Sequence, residues 1–393
     1  MISILVFATK SLVVSICSYL GILGLMIAFP ILQTHLFYLH RVKQAWFKDL
    51  NIPEAFGFLP GQVTSFSIPT SDGEKLHAWH ILSLGAYRQN QDQLLARAPE
   101  SKNLALDLLQ NDPEARLVIY FHGTAGCIAS GWRPESYRAL SAAAPDKIHV
   151  LTADYRGYGL SSGTPSEEGL LLDGIALVKW ATQDAGIPPS RIVIFGQSLG
   201  TAVAVSVTQH LASLKSPVTF SGMVLVAPFS DVATLMATYR IAGVVPVLSP
   251  LAWFPPLLAF FTSFLANTWM TKDRIAELVR SLERGGSGHG YHLTLIHAED
   301  DPIIGCAHSD VLFWHAITAA TSKEIAYEEL ECEKRLERKD YGHGGWSVER
   351  KTPKGLIRQE RLRFGVHDTI MTFPTTSLAI LRAFQAADPG FGK

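Results

Sequence analysis

Residues 192–204 read Ile192-Val193-Ile194-Phe195-Gly196-Gln197-Ser198-Leu199-Gly200-Thr201-Ala202-Val203-Ala204: an apolar run, a serine between two glycines, then helix-forming residues. The apolar run suits a strand buried on both faces, and TAVAVSVTQHLA from Thr201 suits a helix packed against it. Such a reversal forces Ser198 into a tight turn, while the flanking glycines let neighbouring backbone pass without a Cβ clash. The hydroxyl then stands above a sheet at the start of a helix, where negative charge is stabilised. Ser198 therefore reads as a nucleophile; the competing reading is an N-cap serine.

The same rhythm extends on both sides of this turn. From Arg116, short apolar runs alternate with longer amphipathic stretches, as in a parallel sheet with crossover helices. The pattern predicts strands over Leu117 to Phe121, His149 to Asp154, Ile192 to Gly196, Met223 to Pro228, Leu293 to His297 and Ile325 to Glu329. It predicts helices over Pro134 to Ala144, Ser166 to Ala185, Leu199 to Leu214, Cys306 to Ala320 and Thr375 to Gln385. Right-handed crossovers make this an open, mostly parallel, doubly wound α/β sheet. Upstream, Thr64 to Thr70 and Lys75 to Leu82 alternate about Ser71-Asp72-Gly73-Glu74, the mark of an antiparallel hairpin. Gly85 to Glu114 keeps no period and reads as a surface insertion, with a short helix over Leu104 to Leu109.

The 393 residues suffice for one large domain with appendages. Lys plus Arg (34) nearly balance Asp plus Glu (35), so no global field favours nucleic acid. Cys17, Cys127, Cys306 and Cys332 fall in no CxxC or Cys/His spacing, which argues against a disulfide framework or a zinc site. Two apolar segments raise the mean hydropathy to +0.17.

The first, Ser11 to Leu32, carries no charge and has the length of a bilayer-spanning helix. It reads as a retained anchor, since it is too long for a signal peptide and no small-x-small cleavage site follows. Residues 1–50 are then anchor and juxtamembrane segment, and 51–393 a catalytic domain. Arg41, Lys43 and Lys48 after the span, against Lys10 before it, put that domain in the cytosol by the positive-inside rule. The second, Ile241 to Met270, is almost uncharged, and its prolines at 246, 250, 255 and 256 argue against a single span. It reads as a lid or membrane-dipping cap inside an insertion of about 232–285; the competing reading is a buried core insertion. A charged insertion, about 323–363, reads as a solvated excursion.

A serine hydroxyl needs a base to take its proton and donors to hold the oxyanion. Phe121-His122-Gly123-Thr124-Ala125-Gly126 follows a strand end where one donor is expected, so the N–H groups of Thr124 and Leu199 form the expected oxyanion hole. His122 precedes the nucleophile and reads as a loop organiser. The acid is expected in Leu295-Ile296-His297-Ala298-Glu299-Asp300-Asp301-Pro302, Asp301 first and Asp300 second, while Asp231 reads as a helix cap. The base must follow the acid. His308 and His315 fall in a predicted helix, leaving His343 in YGHGGW and His367 in FGVHD; His367 has the position before the last helix. A triad of this kind needs no cofactor and no metal.

YFHGTAG at 120–126, DYRGYGLSSGTPSEEG at 154–169, GQSLGTAVA at 196–204 and LIHAEDDP at 295–302, with the N-terminal apolar run, carry a likeness beyond the pentad. They resemble the alpha/beta-hydrolase domain-containing protein 12 group, membrane-bound lipid hydrolases related to the Bem46-like proteins. The resemblance implies an α/β-hydrolase fold with Ser198, Asp301 and His367 as nucleophile, acid and base. It also implies lysophospholipid (including lysophosphatidylserine) or monoacylglycerol substrates, and an endoplasmic reticulum tether with the site facing the lumen, the side opposite to that implied by the basic flank. A protein depalmitoylating thioesterase and a non-catalytic scaffold of membrane organisation are the alternatives.

Overall fold

A computed structural model describes all residues except 1, 43, 44, 46, 97–100, 242–244, 247, 286–289, 322 and 323. Lys43 of the basic flank lies outside the described residues, as do parts of the segments 85–114, 241–270 and 323–363.

The chain opens with α1 (Ile2–Ala28), α2 (Pro30–Tyr38), the hairpin β1 (Val63–Pro69) and β2 (Lys75–Ile81), and α3 (Leu84–Gln89), α4 (Gln91–Leu95) and α5 (Ser101–Asn111). The alternating part follows: β3 (Arg116–Phe121), α6 (Arg133–Ser141), β4 (Ile148–Ala153), α7 (Glu167–Lys179), β5 (Ile192–Gln197), α8 (Leu199–Ala212) and β6 (Gly222–Val226). Next come α9 (Val232–Thr238), the short pair β7 (Arg240–Ile241) and β8 (Val245–Pro246), α10 (Pro255–Thr262) and α11 (Thr271–Arg284). The last part is β9 (Tyr291–Ala298), α12 (Ala307–Ala320), α13 (Tyr327–Glu337), β10 (Lys339–Asp340), β11 (Trp346–Lys351), β12 (Gly355–Leu362) and α14 (Pro374–Ala387).

The main sheet has the order β1-β2-β4-β3-β5-β6-β9-β12-β11-β10. Its middle, from β4 to β12, is parallel, and antiparallel hairpins close both edges. Because side chains alternate along a strand, each face feeds a different core. Leu117, Ile119, Ile194, Leu225 and Leu295 pack with residues of α7, α8, α11 and α12. Val118, Tyr120, Val193, Phe195 and Ile296 pack with α6 and α14. Helices therefore cover both faces, and the sheet is doubly wound as the alternation predicted.

Three expectations change. Ile325 to Glu329 is not a strand: Tyr327–Glu337 is helical, and the strand beside β9 is β12, inside the segment read as a solvated excursion. Charge hid it. Arg358 pairs with Glu360 and Glu349, Arg361 with Asp310, and Arg382 with Glu360, so a charged strand is buried among partners. The apolar run Ser11 to Leu32 is not one helix either, because α1 ends at Ala28 and Pro30 starts α2. Proline disfavours helical geometry in the residue before it, and Phe29 takes φ −130° and ψ 84°. The segment Thr9–Ala28 is still long and apolar enough to cross a membrane, with mean hydropathy 2.2. Third, the insertion set at 232–285 contains α11, whose Ile275, Leu278 and Val279 belong to the same core as α8 and α12.

The site rests on one close approach. A Cβ on Gly200 would stand 1.9 Å from the Phe121 carbonyl oxygen, and one on Gly196 would stand 2.5 Å from the Gly200 oxygen. Helix α8 thus touches β3 through glycine backbone. Gly200→Ala is expected to lower the unfolding free energy by about 3 kcal/mol, the upper end of what overpacking costs, read as a lower urea midpoint. An unchanged midpoint would mean that α8 can retreat from β3 freely.

Candidate active site

At the end of β5 the backbone reverses through Ser198, which takes φ 54° and ψ −122°. A non-glycine residue in that region costs about 1–3 kcal/mol, so the turn must be held. The Ser198 N–H donates to the Val226 oxygen at 3.0 Å, and the Ser198 carbonyl accepts from the Thr201 hydroxyl at 2.6 Å. Although Ser198 occupies the N-cap position of α8, its side chain makes no capping bond. The hydroxyl is left for other chemistry, and the Leu199 N–H at the first helical position has no intrahelical acceptor.

Beside it runs the loop after β3. A Cβ on Gly123 would lie 3.2 Å from the Ser198 Cβ and 2.3 Å from Gln197 Oε1, so only glycine fits there. The Gly123 carbonyl accepts from His122 Nδ1 at 2.7 Å and from Arg133 at 2.9 Å, and the same guanidinium reaches the Thr124 carbonyl at 2.9 Å and the Cys127 carbonyl at 2.6 Å. In a trans amide the N–H points away from the C=O. Pinning the Gly123 carbonyl therefore aims the Thr124 N–H away from Arg133. Among the described residues, neither the Thr124 nor the Leu199 N–H has an acceptor.

Asp301 follows β9. Its Oδ2 accepts from His367 Nδ1 at 2.7 Å and lies 3.4 Å from His297 Nε2, while its Oδ1 accepts from the N–H groups of Ile303 and Ile304 at 2.8 and 2.9 Å. Burial opposes charge on Asp301, but the hydrogen bonds from His297 and His367 outweigh it and hold the carboxyl well below the usual carboxylate range. With Nδ1 donating to the carboxylate, the lone pair of His367 is on Nε2.

Asp300 does something different. It accepts from the N–H groups of Gly365 and Val366, at 3.4 and 2.9 Å, and so shapes the loop before His367, where Val366 takes φ 41°. The His367 carbonyl accepts from Gln197 Nε2 at 3.3 Å, which ties the histidine loop to the residue before Ser198.

The other candidates go elsewhere. His343 is exposed in the turn between β10 and β11 at the sheet edge. Asp231 caps α9 through the Thr234 N–H at 2.7 Å and pairs with Lys272. His308 bonds the Ser230 hydroxyl at 2.9 Å, and His315 is half-buried on α12. Arg133, Gln197 and His297 were not singled out from the sequence. His297 lies inside the LIHAEDDP stretch, so its place on the acid-bearing strand could have flagged it; Arg133 carries no local signal. Among the described residues, no group of His, Cys, Asp and Glu is arranged to hold a metal ion.

Beneath the loop, His122 Nε2 and Asp154 Oδ1 lie 3.9 Å apart, both fully buried. Burial, aided by Arg133, pushes the imidazole well below its usual range, and burial lifts Asp154 to about 7 against its bonds to backbone N–H groups and the pull of Arg133. Below pH about 7 the two are neutral neighbours rather than an ion pair. Unfolded, Asp154 titrates near 3.8, so between that value and about 7 the folded state keeps a proton the unfolded state loses. The stability this contributes is full at low pH and is lost as pH rises through about 7. Asp154→Asn, which cannot titrate, is expected to remove this decline: the urea midpoint of the wild type relative to the variant should fall from pH 5 to pH 7.5. A constant difference would show that Asp154 is ionised throughout.

A model of the Alpha/beta hydrolase family matches residues 118–326, more than half of the chain. The lysophosphatidylserine lipase ABHD12 of Danio rerio is 27% identical over 291 residues, covering 72% of this chain and 68% of that protein. The Mus musculus protein of the same name is 27% identical and is covered over 65% of its length, just under two thirds. Protein ABHD12B of Homo sapiens is 29% identical over 74% of this chain and 71% of its own. Among solved structures, an alpha-beta hydrolase from Vibrio vulnificus matches with TM-score 0.53 and 13% identity, over 90% of this chain and 92% of that one, a likeness of fold. With the family model spanning the sheet from β3 through Ser198 and Asp301, the chain belongs to the alpha/beta hydrolase family.

Proposed function

We propose that the protein is a membrane-bound serine hydrolase that cleaves carboxylic esters of lysophospholipids or monoacylglycerols through Ser198, His367 and Asp301. The observation that carries this reading is the 2.7 Å bond from His367 to a buried Asp301, on a loop tied through Gln197 to the Ser198 turn. In the first half-reaction His367 Nε2 takes the Ser198 proton as Oγ bonds to the ester carbonyl carbon, and the Thr124 and Leu199 N–H groups receive the oxyanion. The carbon–oxygen bond to the alcohol then breaks, and the alcohol leaves with the proton from His367. Water, deprotonated by the same nitrogen, attacks the acyl-enzyme and releases the fatty acid and free Ser198. Asp301 keeps Nδ1 protonated and steadies the imidazolium. A lysophospholipid is favoured by the name that the ABHD12 relatives carry.

The apolar helices supply the setting. Leu23 of α1 packs against Leu248 and Leu251, so the N-terminal helix and the segment before α10 share one small core. Next to it Trp253, Phe254, Phe260 and Phe264 are exposed, Trp253 by 85%, and residues 248–270 hold no charged side chain. An apolar surface of this kind beside a spanning helix suits the interface of a bilayer. We read α1 as the anchor in the endoplasmic reticulum membrane and residues 232–270 as a cap dipping into that membrane, a route for a lipid to reach Ser198 without crossing water.

On lysophosphatidylserine, Ser198→Ala and His367→Ala are each expected to lower kcat by about 10⁴-fold or more, while His343→Ala stays within about twofold of wild type. A large loss in His343→Ala with His367→Ala active would sink the assignment, and turnover of S-acyl peptides in place of lysolipids would redirect the substrate. In vesicles of brominated phosphatidylcholine, wild-type fluorescence is expected to be quenched more strongly than that of Trp253→Phe. Equal quenching would mean that Trp253 faces water.

A further inference from the structure

We infer that the juxtamembrane helix α2 completes the catalytic apparatus, because the carbonyl group of Tyr38 is the support on which the oxyanion loop rests. Tyr38 is then a positioning residue for the hydrolysis proposed above, on which this inference rests.

The last carbonyls of a helix have no intrahelical donor. In α2 the Leu39 N–H, at φ 47°, returns to the His35 oxygen, which leaves the carbonyls of Phe37 and Tyr38 open. Both are taken by the active-site side of the molecule. The Tyr38 oxygen accepts the Ala125 N–H at 3.1 Å, the Thr124 hydroxyl at 2.7 Å and the Tyr158 hydroxyl at 2.6 Å. The Phe37 oxygen lies 2.9 Å from the Thr124 hydroxyl. Thr124 is thereby gripped on two sides, its hydroxyl by α2 and its carbonyl by Arg133, and what remains free is its N–H. Ala125 takes φ 60°, a conformation that its bond to Tyr38 helps to hold.

The other end of the connection reaches the cap. The fully buried Tyr38 ring carries its hydroxyl to Asn267 Oδ1 at 3.0 Å and accepts from Trp269 Nε1 at 3.2 Å. Five residues earlier, Gln33 accepts the Ala266 N–H at 3.0 Å and donates to the Phe264 carbonyl at 3.0 Å. Helix α2 is therefore bolted to residues 264–269 at the end of the apolar cap and to the loop that carries an oxyanion donor. An oxyanion donor works only at the right place, and an error of about 1 Å can cost 10²-fold in rate. The last turn of α2 sets that place, so its loss acts on turnover and not only on membrane attachment.

The test uses the full-length protein in detergent with p-nitrophenyl butyrate, a soluble ester whose delivery does not depend on a bilayer. Thr124→Val removes the hydroxyl and keeps the shape; kcat is expected to fall about 10- to 100-fold with KM within about twofold. Thr124→Ser keeps the hydroxyl and is expected to retain at least half of the wild-type kcat. Tyr158→Phe deletes the neighbouring donor and is expected to lower kcat several-fold, again at constant KM; it carries the test alone should Thr124→Val not fold. Wild-type kcat in Thr124→Val, or in Tyr158→Phe where it stands alone, overturns the inference and leaves the hydrolase reading intact, as does an equal loss in the valine and serine variants, which would indicate packing. Absence of Ser198-dependent turnover in the wild type overturns both.

Discussion

The approach of α8 to β3 at Gly200 governs the rest of the molecule. With the Phe121 carbonyl so close to the Gly200 backbone, any side chain there would push the helix out and relax the turn before it. The strained φ of Ser198 persists because β6 holds its N–H and the first turn of α8 holds its carbonyl. From that turn follow the direction of the serine side chain, the free Leu199 N–H and the place of Gly123 against the Ser198 Cβ. Strain stored at one residue is supported by a sheet that is rigid on both faces.

Around this turn, the polar groups are arranged so that few carry charge. Below pH about 7 His122 and Asp154 sit side by side as neutral groups, and Arg133 spends its donors on the three carbonyls of the loop. Of the two buried carboxyls, Asp301 is the ionised one, kept as a carboxylate by His297, His367 and two backbone N–H groups. The contrast follows from partners: a buried carboxyl with several donors ionises, and one with few stays protonated. In the proposed mechanism, a negative charge beneath this loop would oppose the developing oxyanion, whereas the negative charge behind the histidine supports the imidazolium.

The two apolar segments, far apart in sequence, meet in space. Leu23 of α1 shares one cluster with Leu248 and Leu251, and the next helix, α2, bonds both residues 264–267 and the loop after β3. The apolar N-terminal helix and the groups around Ser198 are thereby mechanically related, through a helix too short to be stable by itself.

By itself the sequence determined the features that depend on local chemistry. The G-x-S-x-G pentad after an apolar run, the Phe121-to-Gly126 loop and the acidic stretch after β9 each announce themselves through residue types whose backbone and side-chain demands are local. The apolar lengths at the N-terminus and before α11 are equally local, since hydrophobicity needs no partner to be seen. Tertiary structure decided whatever depends on pairing. Strand β12 was hidden because its charges are neutralised by Asp310, Glu349 and Arg382 from elsewhere in the chain. Asp301 rather than Asp300 meets His367, a matter of which carboxylate of two neighbours a loop 66 residues away reaches. The histidine loop itself is closed by Asp300, and the oxyanion loop is held by Arg133 and by a backbone carbonyl of Tyr38. No pattern along a chain reveals a carbonyl's partner, because every residue has the same carbonyl and only the fold selects the donor that comes to it.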